Sequence, residues 1–180
     1  MRRKTADRNE AMAGDLAAMR RYARALTRDP QDADDIVQDA LVRAIERRES
    51  FKPERDRRRW LLAIVHNVFV SGRRRLAAEA RRDARFAETL MTHLDPQQEQ
   101  HARLTRIAHA FSALSDPHRA VLHLIVIEGM SYQDAADVLG VPIGTVMSRL
   151  ARARASLRSE EAGPHVQKRH LRVVGGEEDD

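Results

Sequence analysis

Residues 131–158 read SYQDAADVLGVPIGTVMSRLARARASLR, and their spacing is a fairly specific sign of a helix-turn-helix. Ser131 stands three residues before Asp134, a spacing typical of the start of a helix. Gly140 follows where the chain needs a left-handed turn, a conformation that glycine adopts at little cost. Six residues later, Val146 is placed to fill the core from a second helix. These spacings predict a helix-turn-helix, whose second helix enters the major groove of DNA.

The second helix of this motif, about residues 143–157, is predicted to bury Val146, Leu150 and Ala153. Its opposite face offers short hydroxyls and long arginines, which suit DNA phosphates and guanine edges. These side chains are Thr145, Ser148, Arg149 and Arg152. An ordinary helical hairpin with a solvated basic face is the alternative interpretation. The lack of acidic residues over 138–159 favours the DNA surface.

The composition of the whole chain is that of an all-α protein. Aromatic residues make up 4% and charged residues 33% of its 180 residues, and glycine and proline are few. The absence of cysteine excludes disulfides, thiolate zinc sites and cysteine nucleophiles. The apolar runs are too short to cross a bilayer, and the N-terminus leads into no hydrophobic signal segment. We therefore expect a soluble, cytoplasmic protein without membrane insertion.

Upstream of the motif, apolar residues recur at helical spacing in three segments. A first helix is expected near the N-terminus, a second over residues 32–45 and a third from Trp60 onward. Asp32 is the expected N-cap of the second helix. The inward face of that helix is expected to include Leu41 and Ile45. The three helices would share one core, small but within the range that folds alone.

Two small helical domains joined by a linker are the predicted architecture. The first domain is expected over residues 8–76, and the second, which ends in the helix-turn-helix, over residues 103–160. Residues 77–102 are rich in Ala, Arg, Glu and Gln and predict a partly helical linker. The tail over residues 161–180 contains two adjacent glycines and an acidic end, so we expect it to be disordered.

Charge is sorted into blocks along the chain. The net charge of +5 favours a polyanionic partner. Residues 29–39 are rich in aspartate, whereas residues 43–85 are predominantly basic. Such sorting indicates separate surfaces for separate partners.

These features together resemble the extracytoplasmic-function class of bacterial sigma factors, the dissociable promoter-specificity subunits of RNA polymerase. The resemblance covers almost everything from Met12 to Leu157. In the first domain it rests on the stretches YAR (22–24), DADDIVQD (32–39) and RWLLAIVHN (59–67). In the second it rests on the stretches LS (114–115), EGMSY (128–132) and GTVMSRLARAR (144–154).

The resemblance implies roles for three surfaces. The surface expected to dock on the clamp helices of the largest RNA polymerase subunits comprises Asp34, Asp35, Gln38, Asp39 and Arg43. The surface expected to melt and read the minus-ten promoter element comprises Trp60, Asn67, Ser71, Arg73, Arg74 and Arg75. The surface expected to read the minus-thirty-five element comprises Thr145, Met147, Ser148, Arg149 and Arg152.

Spacing supports the minus-ten surface independently, because Trp60, Asn67 and Arg74 are each seven residues apart and share one helical stripe. An aromatic ring can stack on a base that has left the duplex, an amide can read its edge and arginines can hold phosphates. The alternative is that Trp60 belongs to the core and Asn67 is an ordinary surface residue. In the minus-thirty-five surface, Met147 stands where many relatives carry a basic residue, so the base preference is expected to differ.

The resemblance further implies core RNA polymerase, promoter DNA and an anti-sigma factor as partners, and a role in a stress or envelope response. No catalytic residue, cofactor or metal site is expected. A helix-turn-helix regulator would need a phosphoacceptor or ligand-sensing domain, which the sequence does not indicate. An enzyme is disfavoured because His118 and His123 are five residues apart, off the spacing of one helical turn. An interaction protein that does not read promoters would have little use for Asn67 or Arg149.

Overall fold

The computed structural model describes residues 2–52, 56–82 and 108–161, and every regular element in these ranges is helical. The elements, in chain order, are α1 (Arg2–Thr27), α2 (Pro30–Glu46), a 3-10 turn (Arg48–Ser50), α3 (Arg57–Arg82), α4 (Asp116–Leu122), a π-helical turn (His123–Ile127), α5 (Tyr132–Leu139) and α6 (Ile143–Glu161). Residues 108–113 are also helical. The predicted all-α fold is confirmed. Most of the linker and the tail after residue 161 lie outside the described residues.

Helices α1, α2 and α3 pack around one another to form the N-terminal domain. Tyr22, Leu26, Val37, Leu62 and Val65 are among its fully or almost fully buried side chains. Helix α3 starts at Arg57, three residues before the predicted start at Trp60, and extends through Arg82 into the predicted linker. The long helix therefore carries both core residues and the exposed basic segment that follows them.

Helix α2 begins at Pro30, and its N-cap is Asp29 rather than the predicted Asp32. The Asp29 carboxylate accepts hydrogen bonds from the backbone N–H groups of Gln31 and Asp32, at 2.7 and 2.9 Å. Proline suits the first turn because its missing N–H would have no partner there, and its fixed φ already matches a helix. Asp32 thus lies within the first turn, where its charge interacts with the helix dipole.

The inward face of α2 is narrower than predicted. It buries Ala33, Val37, Ala40 and Ala44. Three small alanines let α2 approach its neighbours closely, so the larger residues beside them stay outside the core. The expectation that Leu41 and Ile45 are buried was wrong, because their exposed fractions are 37% and 68%.

Helices α4, α5 and α6 form the C-terminal domain around Leu124, Ala136, Val146 and Leu150. Ser115 precedes α4 and Pro117 lies in its first turn, as the sequence predicts. Gly129, with a φ of +67°, ends the π-helical turn. The buried residues of this domain and of the N-terminal domain belong to one continuous cluster, so the two domains pack against each other.

Candidate nucleic-acid interface

Helices α5 and α6 form the predicted helix-turn-helix. The Ser131 hydroxyl caps α5 by accepting a hydrogen bond from the backbone N–H of Asp134 at 3.1 Å, and it donates to the Asp134 carboxylate at 2.7 Å. Gly140 adopts the left-handed conformation, with φ 63° and ψ 36°. The backbone N–H of Val141 then bonds to the Ala136 carbonyl at 3.1 Å. The predicted cap and turn are therefore both present.

Helix α6 buries Val146, Leu150 and Ala153, as predicted from their spacing. The opposite face holds the residues predicted to read DNA. Of these, Met147, Ser148 and Arg152 are exposed, whereas Thr145 and Arg149 are half-buried. The apolar anchor of α6 thus leaves a polar face on the outer side of the helix, and the assignment of that face to DNA stays a prediction.

Helix α3 carries the second group of candidate DNA contacts. Exposed side chains lie within and after its core segment, namely Asn67, Ser71, Arg73, Arg74 and Arg75. Trp60 is half-buried, and its ring centroid lies 5.2 Å from that of Phe51. A small cleft beside Trp60 is lined from the other domain by Asp137 and Val138 of α5. Trp60 therefore lies where the two domains meet, and its side chain is neither fully buried nor fully exposed.

The outer face of α2 carries the candidate docking residues. Asp34, Asp35, Gln38 and Asp39 are exposed and Arg43 is half-buried. The structure adds exposed apolar side chains, Leu41, Val42 and Ile45, along the C-terminal half of the same face. Sequence reasoning missed these residues because it placed Leu41 and Ile45 in the core. Their spacing with Asp34 and Gln38, at steps of three and four, could have shown that they share one stripe.

Arg119 of α4 makes one contact between the domains with a side chain that is fully enclosed. The exposed fraction of Arg119 is 1%. Its guanidinium donates to the Leu26 carbonyl at 2.9 Å and to the Ala25 carbonyl, both at the C-terminal end of α1. It also contacts the Asp116 carboxylate at 2.7 Å. A cation at a helix C-terminus satisfies carbonyls that have no partner within the helix.

A second contact joins α1 to the π-helical turn. Arg21 donates to the Glu128 carboxylate at 2.8 Å, and Nε2 of His123 lies 3.3 Å from the same oxygen. The Tyr22 ring is tilted by 31° against the His123 ring, with the ring centroids 5.2 Å apart, and the Tyr22 hydroxyl lies 3.0 Å from Nδ1 of His66. Polar groups from both domains are thus enclosed in one seam.

Burial and charge shift the pKa of several groups in this seam. Burial, assisted by the nearby charge of Arg149, lowers the pKa of His66 from 6.5 to about 4. Burial also lowers the pKa of His123, against the opposing effect of Glu128, and raises the pKa of Tyr22. Both histidines are therefore neutral at neutral pH, and Arg149 of α6 acts electrostatically on the N-terminal domain.

Two further ion pairs connect carboxylates of the C-terminal domain to arginines of α3. Asp134 of α5 pairs with Arg59, and the Ser131 hydroxyl followed by the Arg59 guanidinium holds the pKa of Asp134 below its usual range. Asp116 of α4 pairs with Arg73, with the Arg73 Nε and Asp116 Oδ2 atoms 3.3 Å apart.

Within the described part of the chain, no helix is both long and apolar enough to cross a membrane.

A helix-turn-helix domain packs on a three-helix domain that carries an exposed basic segment and an acidic helix face, which is the arrangement expected of a two-domain sigma factor. Comparisons with known proteins agree with this class. Residues 12–66 match the family described as the Sigma2 domain of PhyR, and residues 104–157 match region 4 of Sigma-70.

Relatives match both domains together. The chain is 33% identical to the ECF RNA polymerase sigma factor EcfG of Rhodopseudomonas palustris, over 89% of this chain and 91% of the relative. It is 35% identical to a probable RNA polymerase sigma-C factor of Mycobacterium bovis, over 73% of this chain and 71% of the relative. The chain belongs to the extracytoplasmic-function (ECF) RNA polymerase sigma factors. Members of this family bind core RNA polymerase and promoter DNA.

A solved structure is also similar in its arrangement of domains. It is the sigma factor RpoE in complex with the anti-sigma factor NepR from Bartonella quintana, with a TM-score of 0.72 and 33% identity, over 88% of this chain and 98% of that one. A match confined to one domain, which is less than half of the chain, could not reach that score. The two domains therefore superpose together and not only one at a time.

Proposed function

We propose that this chain is a two-point promoter reader that brings core RNA polymerase to its start sites and performs no covalent chemistry itself. Residues 8–76 would form the domain for polymerase docking and the minus-ten element, and residues 103–160 the domain for the minus-thirty-five element. The observation that carries this proposal is the exposed polar and basic face of α3, from Asn67 to Arg75, on the same domain as the acidic face of α2. One domain thereby offers surfaces to DNA and to a protein.

The docking surface on α2 is mixed in character. Acidic groups, including Asp35 and Asp39, occupy its N-terminal half, and the apolar side chains of Leu41 and Ile45 occupy its C-terminal half. Charge complementarity would guide the approach of a basic partner helix, and apolar burial would hold it. The polymerase clamp helices are the partner that the family resemblance implies.

At the minus-ten element, Trp60 would support a base that has left the duplex while Asn67 reads its edge and the following arginines hold the displaced strand. Asn67 and the arginines are exposed in the free chain. Trp60 is half-buried between the domains, so it becomes available to DNA when the C-terminal domain moves away. Binding of DNA by the whole stripe therefore requires the contact between the domains to change.

At the minus-thirty-five element, Ser148 and Arg152 would anchor phosphates and Met147 would contact the base edges. Met147 is 49% exposed and lies on the outer side of α6. An apolar side chain at this position suits the methyl group of thymine rather than the hydrogen-bonding edge of guanine. Affinity for DNA would come mainly from arginine contacts and would fall steeply with salt.

An anti-sigma factor is the third partner that we propose. The similar Bartonella structure is described as a sigma factor in complex with the anti-sigma factor NepR. An inhibitor of that kind would hold this chain away from polymerase until a stress signal arrives. We place all of these interactions in the cytoplasm, where core RNA polymerase acts.

Run-off transcription with core polymerase from the source organism tests the proposal. The wild-type chain should direct discrete start sites on genomic fragments, and core polymerase alone should not. Asn67→Ala should reduce selectivity at the minus-ten element while retaining binding to core, and the combined change Asp35→Ala and Asp39→Ala should do the reverse. Absence of any discrete start site together with absence of binding to core would contradict the proposal.

A further inference from the structure

On the basis of the proposed function of α3, we infer that Arg28 is a further DNA contact, which holds a backbone phosphate of the promoter together with Arg73. Arg28 lies in the turn between α1 and α2, outside both groups of DNA-reading residues that the sequence predicts. The fold brings it beside the basic segment of α3, because the carboxylate of Asp116 contacts the guanidiniums of both Arg28 and Arg73. The basic surface of α3 therefore extends onto this turn.

The two guanidiniums are placed to share one anionic group. The Arg28 Nη2 atom lies 3.7 Å from Asp116 Oδ1, and the Arg73 Nε atom lies 3.3 Å from Asp116 Oδ2. A guanidinium binds a phosphate through the same charged hydrogen bonds that it makes to a carboxylate. Each guanidinium has five N–H donors, and the side chains of Arg28 and Arg73 are 50% and 65% exposed. Donors on the solvent side therefore remain for a phosphate while Asp116 keeps its place.

Positive charge is in excess around Asp116. The Arg119 Nη2 atom also lies 2.7 Å from Asp116 Oδ1, so three guanidiniums meet one carboxylate. Burial and then the charge of Arg28 lower the pKa of Arg119, and Arg73 acts in the same direction, against the opposing effect of Asp116. Like charges held close together repel one another, and a further anion relieves that repulsion. The local charge thus favours the binding of a phosphate.

The backbone of Arg28 is in a conformation that is unfavourable for arginine. Its φ is +65°, the only positive φ among the non-glycine residues that the structure describes. The Arg28 N–H donates to the Arg24 carbonyl at 3.0 Å, and the Thr27 hydroxyl donates to the Asp29 carbonyl at 2.8 Å, so the turn fixes this conformation. A left-handed residue after a helix is most often glycine, because a Cβ atom there crowds the following carbonyl oxygen.

The ion pair with Asp116 does not account for an arginine in this turn. An ion pair at 3.7 Å, with half of the Arg28 side chain exposed, contributes little to stability. The backbone strain at Arg28 opposes that small gain, so glycine would give a fold of equal or greater stability. A strained residue that does not stabilise the fold indicates a role in binding.

Arg28→Gly separates a role in DNA binding from a role in stability. Glycine relieves the strain and removes the guanidinium, so the melting temperature of the full chain should stay the same or rise. In the holoenzyme with core RNA polymerase, the variant should bind a fluorescent promoter fragment at least about threefold more weakly than wild type at low salt. The slope of log affinity against log salt concentration should become shallower by about 0.7 to 0.9, as expected for one lost phosphate contact.

The matched control is Arg20→Gln, which removes the same charge from α1. The Arg20 Nε atom lies 4.0 Å from Asp34 Oδ1 of α2, so this side chain is directed away from Asp116. At a concentration of core polymerase that saturates each variant, the control should leave both the affinity for the promoter and the salt slope close to wild type. A loss that depended only on net charge would instead be equal in Arg20→Gln and Arg28→Gly.

Neutral methylphosphonate linkages locate the phosphate. Each backbone phosphate in and beside the minus-ten element is replaced in turn, and affinity is measured for wild type, Arg28→Gly and Arg73→Gln. At one linkage, or at two adjacent ones, the replacement should weaken wild type clearly more than either variant. Each variant has already lost part of that contact, so the effects of the two changes should not add.

Four results would overturn the inference. They are wild-type affinity and salt slope in Arg28→Gly, an equal loss of affinity in Arg20→Gln, a clear drop in the melting temperature of Arg28→Gly, and the absence of any linkage that Arg28 and Arg73 share. Run-off transcription by the wild-type chain does not depend on these comparisons. Its failure would remove the proposed function, whereas any of the four results beside normal initiation by wild type would remove only the Arg28 contact.

Discussion

Lowering the pH should weaken this protein through His66, and the structure gives the size of the effect. His66 has a pKa of about 4 in the folded chain, compared with 6.5 as its ordinary value, because it is buried and lies near Arg149. The unfolded chain therefore takes up a proton at a higher pH than the folded chain does. The contribution to stability is complete above about pH 6.5 and is lost as the pH falls towards the folded pKa.

The magnitude follows from the two pKa values. Between about pH 7.5 and about pH 5.5, protonation of His66 in the unfolded chain should lower the free energy of unfolding by about 1.3 kcal/mol. Burial of His123 also lowers its pKa, so it adds a loss of the same sign in the wild-type chain. A variant that lacks only His66 is needed to separate the two contributions.

Urea unfolding of the wild-type chain and of His66→Gln, each at both pH values, provides that separation. Glutamine keeps a polar partner for the Tyr22 hydroxyl and does not titrate. Trp60, the single tryptophan, reports the contact between the domains by its fluorescence, and circular dichroism reports the helices. The wild type should lose about 1.3 kcal/mol more than His66→Gln on acidification. Equal losses in the two proteins would refute the burial of a neutral His66 between the domains.

Three further predictions concern the turn, the cap and the docking face. Gly140→Ala should destabilise the chain by about 1–2 kcal/mol because its φ is +63°; Gly144→Ala, in helical backbone with open space around its Cβ, should be neutral or stabilising in the same thermal melt. Asp29→Ala removes the cap of α2 and should lower the free energy of unfolding, measured in urea, by about 1 kcal/mol. Asp32→Ala should lower it by less, and the opposite order would contradict the assignment of the cap. The Ile45 side chain is 68% exposed, so Ile45→Ser should weaken binding to core polymerase in a pull-down and leave the melting temperature unchanged. A large drop in melting temperature would show that Ile45 is part of the core.

Local sequence signals predicted the helix-turn-helix well because the cap and the turn each act within one turn of chain and helical spacing shows which side of α6 is buried. Ser131 caps the helix that follows it, Gly140 supplies the left-handed turn and Val146 fills the core one helix later. The cap of α2 was misplaced because Asp29 and Asp32 are both good capping residues. Pro30 could have distinguished them, since proline favours the first turn of a helix.

The spacing of residues along the sequence could not predict contacts between distant parts of the chain. The enclosure of Arg119 depends on carbonyls at the end of α1, and the pairing of Arg59 with Asp134 joins residues of different domains. Likewise, the exposure of Leu41 and Ile45 follows from how closely the alanines of α2 pack against α1 and α3. The predicted positions of the DNA-reading side chains depend on the same arrangement and stay predictions.

Crosslinking from single positions in the holoenzyme tests the two-point reading of promoters most directly. A photoreactive amino acid would replace Asn67 on α3 or Ser148 on α6, both of which are exposed. At one promoter, position 67 should crosslink to the displaced strand in the minus-ten element and position 148 to duplex DNA in the minus-thirty-five element. Crosslinks from both positions to the same element, or from neither position to DNA, would contradict the account.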